Sequence, residues 1–483
     1  MRGSKYLLKN IGLLTISSFG TKLLSFFLVP LYTYVLSTEE YGIYDVLNTT
    51  VLVLIPVLTL NITDAVLRFP LDKTSDKKAI FSIGIKYFIV GLIPVCLVVI
   101  TNQFFTFIPV LKTYSLSFVL LYASTAINGI MTAYARGIDR VLDLSISGIV
   151  CSAVIIVLNI VLLLVVKCGL TGYFIANIAG IAIQAIYLFI STKAWKKLRL
   201  SEIDTFLEHD MLAYSKPLMA NTLAWWVNNF SARYVVIWFC GLAENGIFSV
   251  AYKIPSILNI FQTIFSQAWT LSATQDFDPK DRHGFFAKTY GYYNFGMTTI
   301  CSLLIVGDRF MASFLYAKNF YVAWATVPFL LISIVFGALS GYVGGVFSAV
   351  KDSKKIALST VIGAVVNILL DFVLVYEFKS VGAAIANMVS YWLVWFIRIR
   401  QLRSFMTIRI NLKRDYFAYL ILMVQSILLL FFVEESVPLY LSEIGLFLLL
   451  IVLFHSEAMQ LLKKALHFIR LEKAMKHARL RKG

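Results

Sequence analysis

The sequence predicts an all-α polytopic membrane protein of about 14 transmembrane helices, with two parallel-repeat six-helix bundles around a central cavity and two C-terminal helices. Of its 483 residues, 59% are hydrophobic and 14% are charged, so one soluble core could not bury its apolar side chains. Apolar stretches long enough to cross about 30 Å of hydrocarbon recur along the chain. Landmarks of the first half also return in the second half.

The predicted spans contain few charges, and no long soluble domain interrupts them. The first is too long for a cleaved signal peptide and has no small-residue cleavage site after it, so we expect it to stay as a span. The fourteen stretches, in chain order, are 8–36, 43–68, 79–101, 115–135, 144–166, 170–191, 212–239, 246–272, 287–307, 322–350, 356–377, 381–397, 415–433 and 437–456.

An internal repeat relates the two halves. The segment YGIYDV at 41–46 returns as NGIFSV at 245–250, and TGYFIAN at 171–177 returns as VGAAIAN at 381–387. Six spans separate the copies, so both copies run in the same direction, as in secondary transporters built from parallel repeats. We predict four regions, listed by residue number: a first bundle 1–200, a second bundle 201–404, two accessory helices 405–456 and a basic tail 457–483.

The distribution of Lys and Arg predicts the orientation. These residues concentrate in the loops on one side of the predicted spans, which places both termini in the cytoplasm. Orientation therefore explains the net charge of +17, and no nucleic-acid partner is needed. The tail 457–483 could lie as an amphipathic helix on the anionic inner leaflet, or could be a solvated helix.

Motifs for catalysis or metal binding are not found in the sequence. The five cysteines and five histidines are scattered. The longest predicted outer connections, 102–114 and 308–321, are short and apolar, unlike the loops expected of an enzyme that acts on lipid-linked sugars. A phosphate-binding glycine loop is also lacking. We therefore expect a protein that is not an enzyme, has no cofactor, and draws energy from a gradient.

Charged residues inside predicted spans indicate the site. Lys22 lies about 21 Å into the first span at 1.5 Å per residue, and a buried ionisable group in a membrane indicates function by default. Polar residues at helical spacing accompany Lys22, Arg233 and Lys253 in three spans, which predicts a positive chamber. The predicted lining residues are Ser18, Lys22, Ser25, Asn221, Trp225, Asn229, Arg233, Lys253 and Gln267.

A cluster of cations is most stable when an anion neutralises it, so phosphate or pyrophosphate fits the predicted chamber. The alternative is that Lys22, Arg233 and Lys253 pair with acids and hold helices together. The acids available are Asp45, Asp64 and Asp371. Each of these could instead gate the chamber or carry a coupling ion.

Three segments carry a family resemblance. The stretch LLKNIGLLTISSFGTKLLSFFLVPLYTYVLSTEEYGIYD at 7–45 resembles the start of bacterial oligosaccharide flippases of the polysaccharide transporter family. The segments VAYKIPSILNIFQTIFSQAW at 250–269 and 351–387 are similar to parts of the multidrug/oligosaccharidyl-lipid/polysaccharide exporter superfamily. By position, Lys22, Arg233 and Lys253 match the basic residues of the family's cavity.

The resemblance implies a flippase in the bacterial cytoplasmic membrane that moves undecaprenyl-pyrophosphate-linked oligosaccharide from the inner to the outer leaflet by alternating access, for surface polysaccharide synthesis. A polysaccharide polymerase and a chain-length regulator would be its partners. Two alternatives stay open. One is a cation-coupled multidrug exporter of the same superfamily, and the other is a non-transporting membrane subunit of an envelope-assembly complex.

Overall fold

The computed structural model describes residues 26–72, 75–196, 198, 204–275, 277–350, 352–432, 436–461 and 463. The chain divides into two compact units. The first comprises Met1–Lys253 with Ser313–Val322 and Asp371–Ser380, and the second comprises Ile254–Ala312, Ala323–Leu370 and Val381–Gly483. These units are not the predicted regions, whose boundaries at 200, 404 and 456 stay a prediction.

All regular structure in the described residues is helical, in agreement with the predicted fold class. The α-helices are α1 Val29–Val35, α2 Thr38–Leu58, α3 Ile62–Arg68, α4 Lys77–Phe105, α5 Pro109–Thr113, α6 Ser115–Gly137, α7 Val141–Asn159, α8 Gly169–Ser191, α9 Thr205–Ala251, α10 Pro255–Gln275, α11 Phe285–Val306, α12 Asp308–Leu315, α13 Val327–Ala349, α14 Ser353–Leu402, α15 Leu412–Phe431 and α16 Val437–Leu453. Short 3-10 helices are Phe69–Leu71, Ala194–Lys196 and Lys318–Ala325, and Ile160–Val165 is a π-helix.

Within the described residues, nine helices are long and apolar enough to cross a membrane, or up to eleven if each of two bent helix pairs is one span. The long helices α9 and α14 each contain a break, at Gly241 with φ 85° and at Lys379 with φ 51°. The Gly241 break separates predicted spans 212–239 and 246–272, and the Lys379 break separates 356–377 and 381–397. The first span begins outside the described residues, so the count of fourteen stays a prediction.

Short polar residues fix where several helices begin. Ser37 caps α2 with a reciprocal pair of bonds, in which Glu40 N donates to Ser37 Oγ at 3.1 Å and Ser37 N donates to the Glu40 carboxylate at 2.8 Å. Asp76 caps α4, Asp204 caps α9 and Asp352 caps α14 through their side chains. Each cap satisfies N–H groups that have no partner inside the helix.

Two predicted spans are interrupted, and this corrects the prediction. The span predicted at 43–68 breaks after α2, where Leu60 and Asn61 have positive φ, before α3 begins. The span predicted at 246–272 breaks in a turn at 252–254, because Pro255 lacks an N–H and disfavours helix in the residue before it. The predicted outer connections also contain helices, α5 and α12.

In the first unit, α2 and α9 form the most extensive helix pair. Trp226 Nε1 on α9 donates to Thr49 O at 3.1 Å, and the Thr50 and Tyr234 hydroxyls lie 2.9 Å apart. A separate apolar core lies around α3, α4 and α6. Its fully buried residues include Ile62, Val66, Ile80, Phe81, Ile130 and Tyr134.

In the second unit, α13 is the most enclosed of the long helices and packs against α10 and α11. Trp269 on α10 stacks on Tyr342 of α13 at 4.1 Å and donates its Nε1 to the Tyr342 carbonyl at 2.8 Å. The accessory helices α15 and α16 pack on each other and on α11. Most other long helices leave large apolar side chains exposed, as a lipid-facing surface requires.

Candidate functional site

Two charged residues named from the sequence form a buried ion pair in the first unit. Arg233 Nε on α9 donates to the Asp45 carboxylate on α2 at 2.9 Å. The side chains of Arg233 and Asp45 are 8% and 15% exposed. The arrangement is the helix-to-helix pairing that the alternative interpretation expected for Arg233, and it brings one predicted cavity cation directly to one predicted gating acid.

Aromatic rings enclose the Arg233 guanidinium. Its central carbon lies 5.0 Å from the centroids of both Phe230 and Tyr252 and 6.0 Å from that of Phe248. Arg233 Nη1 also donates to Asn229 O at 3.1 Å, so the preceding turn of α9 holds the side chain. Ring faces attract cations, and the effect is stronger where water is excluded. The surroundings therefore favour the charged guanidinium and fix its orientation.

Lys253 lies in the turn between α9 and α10, beside a group of tyrosines. Its Nζ is 5.8 Å from the ring centroid of Tyr32 and 5.9 Å from that of Tyr41. These two rings are stacked 4.9 Å apart with an interplanar angle of 2°, and Tyr173 packs against both. The ammonium group thus lies next to two buried, stacked aromatic rings, against which Tyr173 packs.

A close approach of two glycines allows this site to form. A Cβ placed on Gly42 would lie 1.9 Å from Leu242 O, and a Cβ on Gly246 would lie 1.9 Å from Thr38 O. Only glycine lets backbones approach this closely, as small residues do in other membrane helix pairs. The contact brings α2 against α9, so that Asp45, one turn after Gly42, can reach Arg233.

Asn245 links the crossing to the ion pair. Its Nδ2 lies 3.2 Å from Gly42 O and 3.4 Å from the Asp45 carboxylate, and the residue is fully buried. Asp45 can therefore accept hydrogen bonds from both an amide and a guanidinium. Asn245 was not predicted as a site residue from the sequence, although Asn245 aligns with Tyr41 in the repeat.

The remaining predicted site residues fall into three groups. Asn229 bonds within its own helix, from Nδ2 to Trp225 O at 2.7 Å, and the Trp225 side chain is 60% exposed. Asp64 accepts from Asn61 Nδ2 at 2.7 Å, and Asp371 is fully buried in α14. Lys22, Ser18 and Ser25 lie outside the described residues, as do the side chains of Asn221 and Gln267.

The aromatic residues of this site were not predicted from the sequence. Tyr173 is far along the chain from Tyr32 and Tyr41, and none of the three is charged. A possible signal is the density of tyrosine in 32–44, where four of the thirteen residues are Tyr. Tyrosines buried in an apolar stretch need partners for their hydroxyl groups, which makes such clustering informative.

The described part of the site has one acid and two bases. Arg233 is neutralised by Asp45, and Lys253 brings a second positive charge, so these three groups together favour an anion. Both basic side chains donate charge-assisted hydrogen bonds of the kind that phosphate oxygens accept. Among the described residues, no group of three or more His, Cys, Asp or Glu could hold a metal ion.

Comparison with solved structures identifies the fold. The chain is similar to the lipid II flippase MurJ in an inward closed conformation, with 14% identity, coverage of 92% of this chain and 98% of that one, and a TM-score of 0.67. It is also similar to a multidrug resistance MATE family transporter of the MOP superfamily in an inward-facing conformation, with 14% identity, coverage of 81% and 98%, and a TM-score of 0.60.

A third similar structure is a MOP superfamily transporter from Pyrococcus furiosus, with 14% identity, coverage of 82% of this chain and 96% of that one, and a TM-score of 0.55. These likenesses show that the chain has the all-helical fold of this group of transporters. No curated protein sequence matches the chain.

The family follows from the sequence match that covers the site. The family model for polysaccharide biosynthesis proteins matches residues 7–270, which is more than half of the chain. This range includes Asp45, Arg233 and Lys253 and both glycines of the helix crossing. The resemblance stated from the sequence is therefore confirmed. The chain belongs to the polysaccharide biosynthesis protein family.

Proposed function

We propose that this protein is a flippase that translocates undecaprenyl-pyrophosphate-linked oligosaccharide from the inner to the outer leaflet of the bacterial cytoplasmic membrane, with both termini in the cytoplasm. The support is its family, its transporter fold and the charge of the candidate site. The product would enter surface polysaccharide synthesis, beside a polymerase and a chain-length regulator.

The observation that carries the proposal is the excess of cations over acids around Asp45. Arg233 is buried against this single carboxylate, and Lys253 lies beside stacked tyrosines. A pyrophosphate that arrives at Arg233 replaces Asp45 as the counter-ion, so the guanidinium never loses its partner. Such an exchange avoids the large cost of leaving a buried charge unpaired.

Asn245 makes the exchange reversible in this proposal. When pyrophosphate binds Arg233, the Asp45 carboxylate still accepts a hydrogen bond from the Asn245 amide, which already lies 3.4 Å from it. When the substrate leaves, Asp45 returns to Arg233. Lys22, from the same predicted cavity, would add a third positive charge, and Asp371, buried in α14, would bind the coupling ion.

The proposal is tested by reconstitution into liposomes with a fluorescent undecaprenyl-pyrophosphate oligosaccharide, measuring its appearance in the opposite leaflet. We expect transport by the wild type and loss of at least about tenfold, or about 1.4 kcal/mol, in Lys253→Ala and in Arg233→Ala. Lys216→Ala is the matched control, because Lys216 is an exposed basic residue of α9. Lys22→Ala tests the predicted third cation.

Wild-type rates in Lys253→Ala and Arg233→Ala would overturn the role of these cations. The same liposomes test the multidrug alternative, since cationic drugs would need Asp45 rather than the basic residues. Export of a cationic dye that is lost in Asp45→Asn, without movement of the lipid-linked substrate, would favour that alternative. Harmless substitutions throughout the site, with no transport of either cargo, would favour the non-transporting subunit.

A further inference from the structure

A second group of buried polar residues lies in the second unit, where the accessory helices meet α11. Ser302 Oγ on α11 donates to Gln425 Oε1 on α15 at 2.7 Å, and Gln425 Nε2 donates to the backbone carbonyl of Glu443 on α16 at 3.3 Å. All three residues are fully buried. One glutamine side chain therefore joins three helices, and it brings a glutamate into the centre of their contact.

The Glu443 carboxyl is the unusual member of this group. Within the described part of the chain, neither of its oxygens accepts a hydrogen bond of ordinary geometry and it forms no ion pair, although the neutral Gln425 amide is close enough to interact with it. Gln425 uses its carbonyl oxygen for Ser302 and reaches the main chain of Glu443. A carboxylate anion taken out of water without a partner is strongly disfavoured, and such a group is neutralised instead.

The basic groups on the neighbouring helices are engaged elsewhere. Arg309 donates to the last carbonyls of α15, those of Leu429 at 2.5 Å and of Phe432, and stacks on Trp324 at 4.1 Å. Arg414 binds Asp415 and Glu457 at the opposite end of the helix pair. The other titratable groups on these helices near the level of Glu443 are Cys301 on α11 and Tyr440 on α16, and the acid Asp308 precedes Arg309.

We propose that Glu443 is a proton-binding site, occupied in the folded protein, and that the neutral carboxylic acid allows α16 to close on α11 and α15. Loss of the proton would place an anion between three packed helices and loosen the accessory pair. This site lies in the second unit, whereas Arg233, Asp45 and Lys253 belong to the first. The proposal therefore does not depend on the cargo that the protein carries.

Infrared difference spectroscopy of the purified full-length protein in nanodiscs tests the protonation directly. We expect one component of the protonated-carboxyl C=O band at neutral pH, sensitive to exchange into D₂O, to disappear in Glu443→Gln, while the component from buried Asp308 remains. Glu377→Gln is the matched control, because Glu377 is an exposed acid of α14 and its replacement should leave this band unchanged. Loss of a carboxylate band instead in Glu443→Gln would overturn the proposal.

Thermal unfolding gives a second readout. Melting is followed from about pH 5 to about pH 9, and if the folded state holds a proton that the unfolded chain releases, stability falls with rising pH within this range. Glu443→Gln should melt at the wild-type temperature at the acidic end and above it at the alkaline end. Equal pH dependence in both proteins, or failure of Glu443→Gln to fold, would contradict a neutral carboxyl.

A bound sodium ion is the competing occupant, since Ser302 and Gln425 supply the oxygen atoms that such an ion binds. Wild-type protein is therefore also melted in NaCl and in KCl at equal ionic strength. A proton site predicts the same melting temperature in both salts. A higher melting temperature in NaCl, absent in Glu443→Gln, would assign the site to sodium and overturn the proposal.

Discussion

Gly42 and Gly246, which are equivalent positions of the internal repeat, pack against each other where α2 crosses α9. The contact is symmetric, because a Cβ on either glycine would meet, at 1.9 Å, the carbonyl oxygen four residues before the other. The two copies of the repeat thus meet at the same residue, main chain against main chain. Asp45 and Arg233 lie on these two helices.

The crossing should not tolerate a single methyl group. Gly42→Ala and Gly246→Ala each force the helices apart, and we expect each to destabilise the protein by about 1–3 kcal/mol, as overpacking does. Thermal unfolding of the purified protein measures this. Gly129→Ala is the control, because no heavy atom lies within 4 Å of its Cβ. Equal melting temperatures for Gly42→Ala and Gly129→Ala would show that the helices are not in contact.

Breaking the Asp45–Arg233 pair should reduce the free energy of unfolding far more than breaking a pair at the surface. Asp45→Asn leaves a buried guanidinium without its counter-ion, and we expect a loss of about 3–5 kcal/mol. Asp72→Asn is the control, because the Arg68–Asp72 pair has side chains 48% and 58% exposed, and we expect a change below about 1 kcal/mol. Full recovery in the charge-swapped double variant Asp45→Arg with Arg233→Asp would confirm direct contact, whereas additive losses would contradict it.

Arg398 in the second unit should not be replaceable by lysine. It donates from Nε to Ser359 Oγ, from Nη1 to Ser340 O and from Nη2 to Thr360 Oγ1, each at 2.9 Å, so one planar side chain joins α13 to α14. Arg398→Lys keeps the charge but cannot make these three hydrogen bonds, and we expect the free energy of unfolding to fall by about 3 kcal/mol. Arg403 is exposed, so Arg403→Lys should leave the melting temperature unchanged. An unchanged melting temperature in Arg398→Lys would refute the role of Arg398 in joining α13 to α14.

The ion pair between α4 and α9 should depend on salt. Lys86 Nζ binds the Glu208 carboxylate at 2.7 Å, and the Tyr87 hydroxyl donates to the same carboxylate at 2.8 Å. Because the Lys86 side chain is 38% exposed, we expect Glu208→Gln to cost about 1 kcal/mol and the cost to shrink at high ionic strength. Tyr87→Phe removes a hydrogen bond alone, and its smaller cost should not change with salt.

The sequence predicted the helical class and most helix positions because composition and span length depend on the membrane rather than on partners. It also named Arg233 and Asp45, since an ionisable residue in an apolar stretch is conspicuous. It did not predict that these two would pair with each other rather than with other charges. Which face of a helix contacts protein and which contacts lipid is hard to predict here, because both faces are apolar.

The breaks in the helices could be predicted in part. Pro255 indicates the interruption after Ala251, and a glycine at position 241, which tolerates positive φ, is consistent with the break within α9. Lys379 adopts positive φ without being glycine, and its break falls between the predicted spans 356–377 and 381–397. Asn61 also adopts positive φ, which asparagine tolerates better than most residues, but the sequence was interpreted as one continuous span at 43–68. The glycine crossing was visible as an aligned pair in the repeat, but alignment alone does not imply contact.

The turn that contains Lys253 also marks a boundary of the first unit. The chain first passes from one compact unit to the other between Lys253 and Ile254, and another passage lies between Leu370 and Asp371. Lys253 and Asp371, both named from the sequence, thus lie at positions where the chain passes from one unit to the other. A substitution at either position therefore changes a charge and, at the same time, the residue at which a unit ends or begins.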